Sequence, residues 1–129
     1  MFKRCLLLLS ALCLLGGGPV YAVSYVTFDE HFTTNFGDPE KPKLSYLRVN
    51  VSMKVADDST ATRVRGHEPF IRDLIIRHLV RQKVETVRTE EAKTQLLTDI
   101  KTSVTEFLTE EEGEPLVEDV LFTEFVVQE

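Results

Sequence analysis

Cysteine is nearly absent from this sequence, and the two that exist, Cys5 and Cys13, both lie in the first apolar stretch. From Val23 onward there is none. That excludes a disulfide framework, a thiolate nucleophile and a cysteine zinc site from the bulk of the protein, whose stability must come from its core. Basic residues are also in deficit, 15 against 21 acidic. Nucleic acid is therefore an unsuitable partner, because Lys and Arg on phosphate carry most of that affinity. An acidic surface more often serves only solubility. No glycine-rich phosphate loop occurs, and no serine sits in a turn flanked by glycines. His31, His67 and His78 are too scattered for a metal site, and no two sit at i, i+4 on one helix. The run Glu110 to Glu112 lacks the alternating oxygen ligands of a calcium loop and reads as solvated. The expectation is no enzyme, no metal and no cofactor.

The longest apolar run is also short. Cys5 to Leu15 spans eleven residues, about 16 Å as a helix at roughly 1.5 Å per residue. A bilayer core needs about 30 Å. Lys3 and Arg4 precede the run, Gly16 to Gly18 and Pro19 break it, and Val20-Tyr21-Ala22 follows. That order is the layout of a secretory signal peptide, with cleavage expected between Ala22 and Val23. A short membrane anchor is the second reading of the same segment. Lipidation is not expected, since Arg4 and Leu12 rather than small residues precede the cysteines. The division is thus 1–22 as signal and 23–129 as one small domain. Removing the signal takes away two basic residues and moves the formal charge from −6 to −8.

Within the domain, Leu47, Val49, Val51, Met53 and Val55 alternate with polar residues, which predicts a strand half buried in a sheet. In "VEDVLFTEFVVQ", Val117, Leu121, Phe125 and Val127 share one parity while Val120, Phe122 and Val126 share the other. Apolar residues on both parities predict a strand inside a sheet or under helices. A weaker strand, "YVTFDEHF", has Val26, Phe28 and Phe32 in phase, and "GDPEKPK" then breaks regular structure. Two helical patterns lie between the second and third strands. Ile71, Leu74, Ile75, His78, Leu79 and Gln82 form one stripe, with Pro69 suited to the first turn. Thr89 is the expected N-cap of the second helix, whose inward residues are Ala92, Leu96, Ile100, Val104, Phe107 and Leu108. The fold class is α+β, a small and largely antiparallel sheet packed by two helices.

His78 on the apolar stripe reads as a hydrogen-bonded core histidine rather than a ligand. Asp73 stands four residues before Arg77, the favoured order for a surface pair. Opposite Ile75, the first helix carries Phe70, Arg77, Val80 and Arg81, apolar residues beside charge. This is the candidate interaction patch, with a homo-oligomer as its expected product and acidic segments such as Glu110 to Glu112 of a neighbour as its complement. Asn50-Val51-Ser52 matches a glycosylation triplet but is uninformative within a strand.

The segments "YVTFDEHFTTNF", "YLRVNVSMKV", "PFIRDLIIRHL", "LLTDIKTSVTEFL" and "VEDVLFTEFVVQ", in that order and spacing, resemble the flagellar basal-body-associated FliL family from Tyr25 to Gln128. The resemblance is tightest at Asn35, at Pro69 to Asp73 and at Val120 to Gln128. It implies a periplasmic domain of stomatin/prohibitin-like fold, beside the inner membrane at the flagellar basal body. It further implies a ring-like homo-oligomer around the ion-driven stator units MotA and MotB, supporting rotation and its control in chemotaxis and swarming. Family members usually carry a full membrane-spanning helix, and the short, glycine-broken run here departs from that pattern. Rival readings are a stomatin-like envelope scaffold unrelated to flagella, and a periplasmic enzyme or ligand carrier, for which no polar cluster converges on an apolar pocket.

Overall fold

A computed structural model describes residues 23–36 and 45–128. The expected signal segment 1–22, including Ala22, and the link "GDPEKPK" lie outside the described residues. The elements run β1 (Ser24–Thr27), β2 (Phe32–Phe36), β3 (Ser45–Val55), α1 (Asp58–Arg65), α2 (Glu68–Val80), α3 (Val84–Val87), α4 (Glu90–Glu112) and β4 (Val117–Gln128). The domain is α+β, with an antiparallel sheet built around β3. Leu47 of β3 faces Thr34 of β2 on one side and Val127 of β4 on the other. Its five alternating apolar residues are all fully buried, as period-two patterning requires.

The strand expected over "YVTFDEHF" is two strands lying end to end on one edge of β3. Thr27 faces Ser52 and Phe32 faces Val49, so the edge inserts two more residues than β3 supplies. An even number of extra residues preserves phase, and Val26, Phe28 and Phe32 are all buried. The interruption is filled by Phe28 and Phe32, edge to face at 5.3 Å. Arg72 of α2 lies over the Phe32 ring at 4.5 Å.

Of the two alternatives for β4, the strand lies under a helix, α4, rather than inside the sheet. It is an edge strand, bonded among the described residues only to β3, and one of its faces is buried rather than two. Lys54 faces Asp119 but Val55 faces Val117; Asn50 faces Glu124 but Val51 faces Phe122. Glu118 and Thr123 are therefore extra residues, two β-bulges that each reverse the alternation. The inward set becomes Val117, Val120, Phe122, Phe125 and Val127, drawn from both parities, while Leu121 and Val126 are exposed.

The helices cover one face of the sheet: α1 against β1, α2 against β2 and α4 against β4. The opposite face carries Tyr25, Tyr46, Arg48, Leu121 and Val126, all exposed. In α2, Ile71, Ile75 and Leu79 are buried, and Pro69 occupies the first turn. Gln82 lies past the helix end and bonds the His78 carbonyl from its side chain at 3.1 Å. In α4, the Thr89 hydroxyl accepts the Ala92 N–H at 3.2 Å, and Leu96, Ile100, Val104 and Leu108 are buried. Gly113, at φ 79°, closes that helix in the left-handed conformation.

Two short helices were not expected. α1 buries only Ala61 and Val64 in a Thr- and Arg-rich octet, too little apolar pattern to read as a helix. Its start is fixed by Asp57, whose carboxylate accepts the Thr60 N–H at 2.7 Å. This bond and that from Ser59 hold the Asp57 carboxyl below its ordinary value. α3 is a single turn that buries Val87.

Candidate interaction surface

The burial of Ile71, Ile75 and Leu79 fixes the rotation of α2, and the opposite side of the helix follows from it. Phe70 is 63% exposed and Val80 56%. Arg77 and Arg81 are exposed beside them. The four candidate residues thus share the solvent side of one helix. Arg77 holds Asp73 at 2.7 Å, the expected i, i+4 pair. Arg81 caps the helix, its N–H bonded to the Leu79 carbonyl.

Two further residues complete this surface. Ile76, 39% exposed, lies one turn before Val80 and extends the apolar part; its i+4 spacing to Val80 was the available signal. Phe107 of α4 stacks on Phe70 with centroids 5.8 Å apart and planes at 30°. It also meets the His67 ring edge-on at 5.6 Å. His67, Phe107 and Phe70 make an aromatic row along the outside of the α2–α4 seam. No sequence pattern could reveal it, because the antiparallel packing of two separate helices brings these rings together.

At the corner where α1 meets α2, Arg63 reaches across to the end of α4. Its Nη2 bonds Glu112 Oε2 at 3.0 Å and its Nη1 bonds Glu114 Oε2 at 3.2 Å. His67 Nε2 meets the other Glu112 oxygen at 2.8 Å. Contact with His67 first, and with Arg63 second, holds the Glu112 carboxyl below its ordinary value. Glu112 and Glu114 push the Arg63 guanidinium further up. Glu112 was expected to belong to a solvated run; instead it ties three helices together.

The remaining histidines are also occupied. His78 Nε2 and Ser103 Oγ are 2.7 Å apart across the α2–α4 seam, so this histidine is hydrogen-bonded as expected, but half-buried at the seam rather than in the core. On the open sheet face, His31 and Arg48 converge on Glu124 of β4. No group of three or more metal-ligating side chains occurs among the described residues. A shallow depression lined by Thr105, Glu106, Thr109, Glu110 and Pro115 flanks the end of α4. Its Thr105 and Thr109 hydroxyls donate to helix carbonyls at 2.9 and 2.7 Å. This chemistry is that of contact surfaces: exposed rings, paired charges and a rigid helical support. No described helix is long and apolar enough to cross a membrane.

A family model described as flagellar basal body-associated protein FliL matches residues 25–128. The flagellar protein FliL of Aquifex aeolicus (strain VF5) is 33% identical over 100 residues, covering 78% of this chain and 58% of the relative. That of Escherichia coli (strain K12) is 29% identical over 97 residues, covering 75% and 60%. The matched region spans about three fifths of the length of these curated relatives.

Proposed function

The chain belongs to the flagellar basal body-associated FliL family, and from that membership we propose that it is a non-catalytic accessory protein of the flagellar basal body, acting through protein contacts. The observation that carries this is the continuity of the match: it runs through every strand and helix from β1 to β4. In this reading residues 1–22 direct export and are removed between Ala22 and Val23. The domain 23–129 then works in the periplasm, next to the inner membrane. Its outward α2 face, with Phe70, Arg77, Val80 and Arg81, joins copies of the domain into an oligomer. The oligomer supports the stator units MotA and MotB, and through them rotation, its control in chemotaxis, and swarming.

The deciding experiment is a deletion strain scored for filament number, swimming speed and swarm diameter. A stator-supporting accessory leaves assembly intact, so filaments remain normal while swarming, the high-load task, falls more than swimming. Bald cells, or unchanged performance in every assay, would overturn the proposal. Neighbouring flagellar genes would further distinguish it from a general envelope scaffold.

A further inference from the structure

One of the four residues joining α4 to β4 holds a backbone conformation that its side chain disfavours. Gly113 takes a positive φ without cost, but Leu116 does so as well, at φ 59°. It is the one non-glycine residue to do so among the described residues. The Val117 N–H donates to the Pro115 carbonyl at 2.7 Å. This closes a three-residue γ-turn around Leu116, in the rare form with positive φ. A bulky side chain rarely adopts this backbone, which persists only where its surroundings over-determine it.

Two surroundings do so. The Leu116 side chain packs against the core. Arg63 of α1 grips the chain on both sides of Gly113, at Glu112 and at Glu114, while His67 secures the other oxygen of Glu112. Immediately beyond the turn, the ladder of β4 is irregular, although Val117 and Val120 themselves are buried. Val117 faces Val55, Glu118 bulges out, and regular pairing resumes only at Asp119 and Val120. No described strand supports the outer edge of β4.

We propose that Arg63 is the catch of a strap: it holds the Leu116 turn shut and so keeps Val117–Val120, the first residues of β4, on the end of β3. Release of the guanidinium, by salt or by a competing anionic group on a partner, lets the turn relax. The backbone edge of β3 at Met53–Val55 is then uncovered. The rest of β4, paired with β3 from Phe122 to Gln128, stays in place. The device is a local opening of one end of the sheet, and it touches the α2 face only through His67.

Hydrogen exchange on the full chain, resolved along β4, tests this. Replacing Arg63 by Gln should speed exchange at residues 118–121 by about tenfold or more, with residues 125–128 unchanged, as expected of local opening. The wild-type protein supplies a second measurement, which stands even if the variant folds poorly. Raising salt from about 0.05 to 1 M shortens the screening length several-fold and should speed exchange at the same amides selectively. Uniform acceleration along β4, or none in either experiment, would overturn the proposal.

Discussion

The rings of Phe122 and Phe125 lie 5.1 Å apart, tilted at 51° and packed against the same core, although an odd number of steps separates them in the chain. In a regular strand such residues point to opposite faces. The bulge at Thr123 absorbs the odd step, so that Phe122 faces Val51 and Phe125 faces Val49. With the bulge at Glu118, this second extra residue in β4 converts an apparently two-faced strand into a single packed face.

Because both rings are half-buried, Phe122→Ala and Phe125→Ala should each destabilise by about 1–3 kcal/mol, below the roughly 3–5 of a fully buried phenylalanine. Since the rings touch, the double substitution should cost less than the two singles combined, with a coupling of about 0.5–1.5 kcal/mol. Urea unfolding of the four proteins measures it. Additive losses would mean that the pair makes no contact in solution.

Glu112 should make stability dependent on acid. Its carboxyl is held below the ordinary value of 4.5 by His67 and Arg63. A depressed carboxyl contributes stability above its unfolded value and loses it as pH falls through the folded value. Glu112→Gln should therefore lower the melting temperature at pH 7. The gap from wild type should close as pH falls from about 5 towards 3. A gap that is constant across this range would remove Glu112 as the cause.

The α2 face should govern self-association without governing folding. Arg77→Glu with Arg81→Glu, and separately Phe70→Ser, alter exposed positions, and such changes usually shift stability by little, within about 0.5 kcal/mol. Phe70→Ser adds about 0.5–1.5 kcal/mol for the lost stacking on Phe107. Sedimentation velocity should show smaller species for the variants than for wild type, with unchanged circular dichroism. An oligomeric wild type matched by both variants would move the interface elsewhere.

Processing is checked at the amino terminus. Protein recovered from the periplasmic fraction should begin at Val23, and Ala22→Tyr should hold the precursor at the membrane, because the peptidase needs a small residue there. An intact Met1 on a membrane-bound wild type would establish the anchor instead.

How far the sequence revealed this fold depended on how local each determinant was. β3 was readable because alternation is a property of the strand itself, and Leu47 to Val55 keep it without a break. α2 and α4 were readable from their stripes, and Thr89 from its place before Glu90 and Glu91. The break between β1 and β2 and the bulges at Glu118 and Thr123 were not. Each is a mismatch in length between partners, visible only when both strands are aligned. Of the candidate surface, the four α2 residues followed from one helical rotation. The aromatic row through Phe107 and the grip of Arg63 on Glu112 needed the mutual placement of helices distant in sequence. α1 was missed for another reason: Ala61 and Val64 offer too little apolar pattern to stand out.

The centre of the sheet is completed by its last strand. β3 pairs with β4 across the whole helical segment, Val55 with Val117 and Tyr46 with Gln128. During synthesis β3 is therefore made well before the partner that covers its second edge. Pairings so distant in sequence close slowly, since loop entropy opposes them until the contacts form. In the interval β1, β2 and β3 form a ribbon with one bare edge and a continuous apolar face, the arrangement most prone to pair with another chain. Chaperone dependence should therefore be concentrated in the time before β4 arrives. A chain shortened by its final strand should accumulate as aggregate, however intact its helices.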